Sequence, residues 1–90
     1  MNKIELDFLI EDTLDLGERI LGMDALVQSI TEEALRTSYE ADIADLIMIY
    51  KDMEFHLELE LVKFIQKQKE EGIVDFTLRR ILKDFQNKLN

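Results

Sequence analysis

The only histidine, His56, stands four residues after Asp52 and four before Glu60. On a helix these three side chains would share one face and offer a divalent cation an imidazole and two carboxylates. A di-iron bundle demands a different pattern, Glu-x-x-His on two helices with further glutamates. Here Glu54 precedes His56 by only two residues, so the pair points apart. The expected state is a histidine among charged neighbours on a solvated helix face, and no metal site is assigned. Glu11, Asp12, Asp15 and Glu18 have the composition of a calcium site without the alternate spacing and central glycine that an EF-hand loop requires. Ser29 and Ser38 lie in no Gly-x-Ser-x-Gly elbow, and Gly17, Gly22 and Gly72 are too isolated to form a phosphate-cradling loop. With no cysteine in the chain, disulfides, thiolate metal sites and thiol catalysis are excluded. No catalytic or cofactor-binding residue is assigned, and the chain is expected not to be an enzyme.

The composition behind these residues is acidic: 20 Asp and Glu against 11 Lys and Arg in 90 residues, a net charge of −9. Unaided binding to nucleic acid or to an anionic membrane needs a basic surface that displaces counterions, so neither is expected as a direct partner. A hydrophobic fraction of 47% argues against disorder. No apolar run reaches the roughly 18 residues of a membrane span, and no basic segment precedes an apolar one at the N-terminus, so a cytoplasmic location is expected. Residues 1–90 read as a single domain with a small core, in which oligomerisation supplements burial.

The absence of proline and the three glycines disfavour a turn-rich β domain, and the apolar spacing specifies helices. Leu6, Leu9, Thr13, Leu16, Ile20, Met23, Val27, Ile30 and Ala34 recur at alternating steps of three and four, the spacing of a heptad seam. This predicts a first helix over about residues 3–36, with a possible break at Gly22. The phase slips near Arg36 to Tyr39, where Thr37 and Glu40 match a capping box, and a second stripe runs through Ile43, Leu46 or Ile47, Tyr50, Met53, Leu57, Leu61 and Phe64 or Ile65. A second helix over about 39–71 follows, stopped by Gly72 behind Lys67 and Lys69. Thr77 is the expected N-cap of a third helix over about 77–89, with Phe76 and Ile81 as a hydrophobic staple and Leu78, Ile81, Leu82, Phe85 and Leu89 as its apolar face. Met53 to Leu61 also alternates apolar and polar, as a half-buried strand does, and Ile4 to Phe8 does so more briefly. Leu and Glu favour helices and no turn residues bound either segment, so the helical reading prevails. It puts Phe55, Leu59 and Val62 outside the main stripe.

The expected fold is therefore all-α: a long antiparallel helical hairpin with a short C-terminal helix. A helix of roughly 50 Å exceeds the roughly 30 Å diameter of a compact domain of this size, so dimerisation into a helical bundle is expected. Charge is partitioned along the chain, −12 over residues 1–60 and +3 over residues 61–90. Lys63, Lys67, Lys69, Arg79, Arg80, Lys83 and Lys88 could then settle near the acidic first helix of the same or a partner chain, the alternative being a solvated basic face.

In length the chain resembles small helical-hairpin proteins of the WXG type, although it has no Trp-x-Gly turn, and in size and acidity it resembles nuclease-immunity proteins and phage-encoded inhibitors. The resemblance implies no site residue. The expected function is that of a small acidic interaction protein, an inhibitor or regulator that binds a basic, nucleic-acid-handling partner protein. Asp7, Glu11, Asp15, Glu18, Glu32, Glu33, Glu40, Asp42 and Asp45 would steer that association, and Phe55 and Leu59 would anchor it. The alternative is a homodimeric structural or assembly subunit of a larger complex.

Overall fold

A computed structural model of the chain describes residues 1–89, with side chains up to Asn87, so the Leu89 side chain of the expected apolar face lies outside the described side chains. Three helices follow one another: α1 (Lys3–Gln28), α2 (Glu33–Glu70) and α3 (Phe76–Leu89). α1 and α2 pair as a hairpin, and α3 returns along α2. At 1.5 Å per residue the 38 residues of α2 span about 57 Å, which accounts for the 58 Å length of the molecule. The other two dimensions are 22 and 15 Å, and the radius of gyration is 16.7 Å against roughly 12 Å for a compact chain of this size. The accessible surface of 6677 Å² correspondingly exceeds the roughly 5,500 Å² of an ordinary monomer of this mass.

Local chemistry sets most of the helix ends. Asn2 caps α1, its side-chain oxygen accepting from the Glu5 backbone N–H at 2.8 Å. The C-terminus of α2 ends as expected at Gly72, whose φ of +75° suits a residue without Cβ. There the Ile73 N–H donates to the Gln68 carbonyl and the Gly72 N–H to the Lys69 carbonyl, a Schellman pair that satisfies two terminal carbonyls.

Two expected ends are corrected. The turn between α1 and α2 falls at residues 29–32, not 36–39, and Thr37 and Glu40 lie inside α2. The reason is that the first turns of α2 bury nothing before Ile43, so no stripe marks where the helix begins. Ile30 meanwhile packs with α1's last core residues after the helix has ended, which keeps the apolar phase running through the turn. Glu32, at the N-cap position, makes no capping bond, and so leaves no signature. At α3 the cap is Asp75, which accepts from the Leu78 N–H at 3.1 Å, and Phe76 is 79% exposed and forms no staple. α1 runs unbroken through Gly22. The alternating segment 53–61 is helical throughout.

The core is divided. In the open half, Leu6 and Ile10 of α1 meet Leu57 and Leu61 of α2 and Leu78 and Phe85 of α3. Each such side chain stabilises the fold by about 1.5–3 kcal/mol on burial. In the loop half only Ile20, Val27 and Ile43 are buried, with Leu16, Met23, Ile30, Leu46 and Tyr50 partly so. A polar waist separates the two. Thr13 is fully buried there, its hydroxyl donating to the Leu9 carbonyl at 2.7 Å, so the polar interruption of the first stripe costs little.

Candidate interaction surface

The waist fixes how the two long helices face each other. The Tyr50 ring lies against Gly17, where an added Cβ would come within 3.0–3.1 Å of its hydroxyl and ring carbons. Gly17 is thus a seat for an aromatic ring, whereas Gly22 has open space around it. One turn on from Tyr50, Glu54 is buried. Burial, and after it the Glu54 charge and a hydrogen bond with that carboxylate, raise the Tyr50 phenol above its ordinary pKa of 10.0. With Gly17 opposite Tyr50, the antiparallel pairing places residues 11–54 in the loop half and residues 1–10 and 55–90 in the open half.

This folding turns the linear charge partition into a spatial one. The loop half holds 12 acidic and 3 basic residues, a balance of −9, and the open half holds 8 of each. The whole net charge of the chain therefore sits on the half with the smaller core. The ion pairs among the described residues are all within single helices: Lys3–Asp7 at 2.6 Å, Arg19–Asp15 at 3.0 Å, Lys63–Glu60 at 3.5 Å and Arg36–Glu40 at 3.7 Å. None links the basic end of α2 or α3 to α1. α3 packs on the half where α1 offers only Glu5 and Asp7, and among the described side chains it forms no ion pair with them.

On the loop half, a groove of about 560 Å³ opens between the helices, lined by Met23, Leu26, Val27 and Ile30 of α1 and the adjoining turn and by Tyr39, Asp42, Ile43 and Leu46 of α2. Asp42 is the one charged side chain in this lining. A second groove of about 590 Å³ runs past the waist between Leu14, Gly17, Leu21, Ile47, Tyr50 and Lys51, with Glu18 and Glu54 at its wall. Both are surfaces that a third helix would cover, as α3 covers the open half.

The residues expected to bind a partner do not form one patch. Asp7, Glu11, Asp15 and Glu18 recur at steps of four, four and three along one face of α1. All four are exposed, with Asp7 and Asp15 in the ion pairs just described. Glu33 and Glu40 share a face of α2, while Asp42 and Asp45 lie on another and Glu32 stands at the helix start. Only Asp42 and Glu18 border a groove. Phe55 and Leu59 are exposed, and with Met48 and Val62 they make an apolar stripe on the side of α2 opposite the seam. Sequence reasoning placed Met23 and Ile30 in a core seam and missed the groove; the available signal was Leu26 beside Val27, which widens the first stripe beyond a single seam.

Asp52 and His56 are exposed and Glu60 pairs with Lys63; among the described residues no three His, Asp or Glu side chains are grouped to hold a metal ion. No described helix is long and apolar enough to cross a membrane. Compared with known protein families, curated proteins and solved structures, the chain matches none.

Proposed function

We propose that this chain is a non-enzymatic interaction protein, an inhibitor or regulator in the manner of immunity and antitoxin proteins, that binds a basic, nucleic-acid-handling partner protein. The observation that carries the reading is the coincidence of the whole −9 charge with an open apolar groove on the loop half. Charge of one sign around an apolar surface steers a partner of opposite sign and then gives it area to bury. Acidic side chains repeated along α1 would occupy the positions that nucleic-acid phosphates take on such a partner. Affinity capture from the source cell, identified by mass spectrometry, should return a basic protein that binds the purified chain. That affinity should fall about tenfold or more between low and high salt. Salt-insensitive binding would remove the charge from the account.

A second reading, a homodimeric assembly subunit, rests on the stripe of Met48, Phe55, Leu59 and Val62 on the outer side of α2. Self-association through that stripe would bury it in a helical bundle. The variants Phe55→Ala and Leu59→Ala should then lower the sedimenting mass at a given concentration, and an unchanged mass counts against this reading.

A further inference from the structure

The hairpin already holds one docked helix, and that helix indicates what the unfilled half accepts. α3 packs along α2 and buries Leu78 and Phe85 in the core that Leu6, Ile10, Leu57 and Leu61 share, half-buries Ile81 and Leu82, and leaves Arg79, Arg80 and Lys83 in water. It is a short amphipathic helix with a basic outer side, and its own balance of +3 cancels the −3 of the other residues on that half. The loop half presents the same two helices without such a cover. Its groove between Met23, Leu26, Ile30, Tyr39 and Leu46 is apolar, about 560 Å³ in volume, has Asp42 in its lining, and lies on the half whose residues sum to −9. Helix-in-groove recognition uses apolar anchors at steps of three and four, and a volume of this size admits roughly three of them.

We infer that this groove seats one amphipathic helix of the partner protein, with Leu, Ile or Phe anchors turned into it and Lys or Arg along both flanks. The inference rests on the proposed interaction function and specifies the partner's binding element. A second copy supplies that element poorly. Its loop half brings another −9, its open half has no net charge, and lending its α3 would uncover Leu6, Leu57 and Leu61 in the donor. Only a basic helix from another protein meets both the apolar lining and the charge.

The test uses the full-length isotope-labelled chain in NMR titrations with two synthetic helical peptides of the same Leu pattern, one with Lys and one with Glu at every polar position. The Leu/Lys peptide should shift the signals of Met23, Leu26, Ile30, Tyr39 and Leu46. Its affinity should fall at least about tenfold from roughly 50 to roughly 300 mM salt, and the Leu/Glu peptide should not bind. Leu26→Gln, at a side chain 70% exposed, should weaken the Leu/Lys peptide about tenfold, and Phe8→Gln, at an exposed side chain of the open half, should leave it unchanged. Shifts centred on the outer stripe of α2 or spread over the acidic faces would overturn the groove assignment and leave the basic-partner reading standing. Groove signals that move on dilution of the protein alone would make a second copy the occupant and overturn the inference. Failure of the Leu/Lys peptide to bind anywhere would sink both.

Discussion

The open and loop halves are built from the same two helices, yet they differ in cover and in charge. The open half has six buried apolar residues drawn from all three helices, and its acidic and basic residues balance. The loop half has three buried apolar residues from two helices and carries −9. A third helix closes the core at one end, where its +3 cancels the −3 of the other residues there; at the other end the hairpin stays one layer thick and its like charges repel. The stability of the fold is therefore concentrated at one end, and the surface that a partner can use lies at the other.

The largest test of this contrast is truncation of one core residue in each half. Leu57→Ala should cost about 2–5 kcal/mol, a large share of the total for a chain this small, because Leu57 is fully buried and its cavity has neighbours from three helices. Val27→Ala should cost less, about 1–2 kcal/mol, since the removed methyl groups border an open groove. Denaturant titration of both variants decides it, and equal losses would mean that the two cores are equivalent.

Next in size is the waist between the halves. Gly17→Ala forces a methyl group to 3.0–3.1 Å from the Tyr50 ring, and the resulting shift should cost about 1–3 kcal/mol despite the better helix propensity of alanine. Gly22→Ala, with nothing near the new methyl, should instead stabilise by up to about 1 kcal/mol. Opposite signs for the two glycines in thermal melts would confirm that Tyr50 seats on Gly17; two stabilising results would show that the ring swings away freely.

Tyr50 also predicts an alkaline limit. Burial and Glu54 raise its pKa above 10.0 in the folded chain, so the folded state keeps the phenol proton longer than the unfolded state does. The stability this contributes is complete below about pH 10 and is lost as pH rises through the folded value. Melting temperatures followed from neutral to alkaline pH should fall less steeply in Tyr50→Phe than in the parent chain. Parallel curves would place the alkaline sensitivity elsewhere.

The smallest effects belong to the surface ion pairs. Asp15→Ala, which removes an exposed pair within α1, should change stability by no more than about 0.5 kcal/mol. If it stabilises slightly at low salt and not at high salt, the repulsion assigned to the loop half is measured directly.

How much of this could be read from the sequence follows the physical range of each interaction. The steps of three and four in Leu6 to Ile30 and in Ile43 to Phe64 report which side chains turn the same way on a helix, a property of neighbours in the chain, and both stripes were readable. So was the stop at Gly72, where a positive φ needs a residue without Cβ. The start of α2 was not, because Glu33 to Asp42 bury nothing and their exposed side chains fit either helix. The role of Gly17 was not readable either, since the ring that needs it comes from Tyr50, 33 positions away.

Sequence alone was enough to establish that the chain is helical, acidic, without thiol chemistry, and longer than a compact fold allows. These follow from composition and from apolar spacing along single helices. Tertiary structure alone decided which apolar residues remain uncovered and where the charge collects. An antiparallel hairpin superposes residues 11–28 on residues 33–54, so acidic residues distant in the chain gather on one half. The same pairing brings α3 back over the other half only, because its connector, residues 71–75, is too short to reach the loop end.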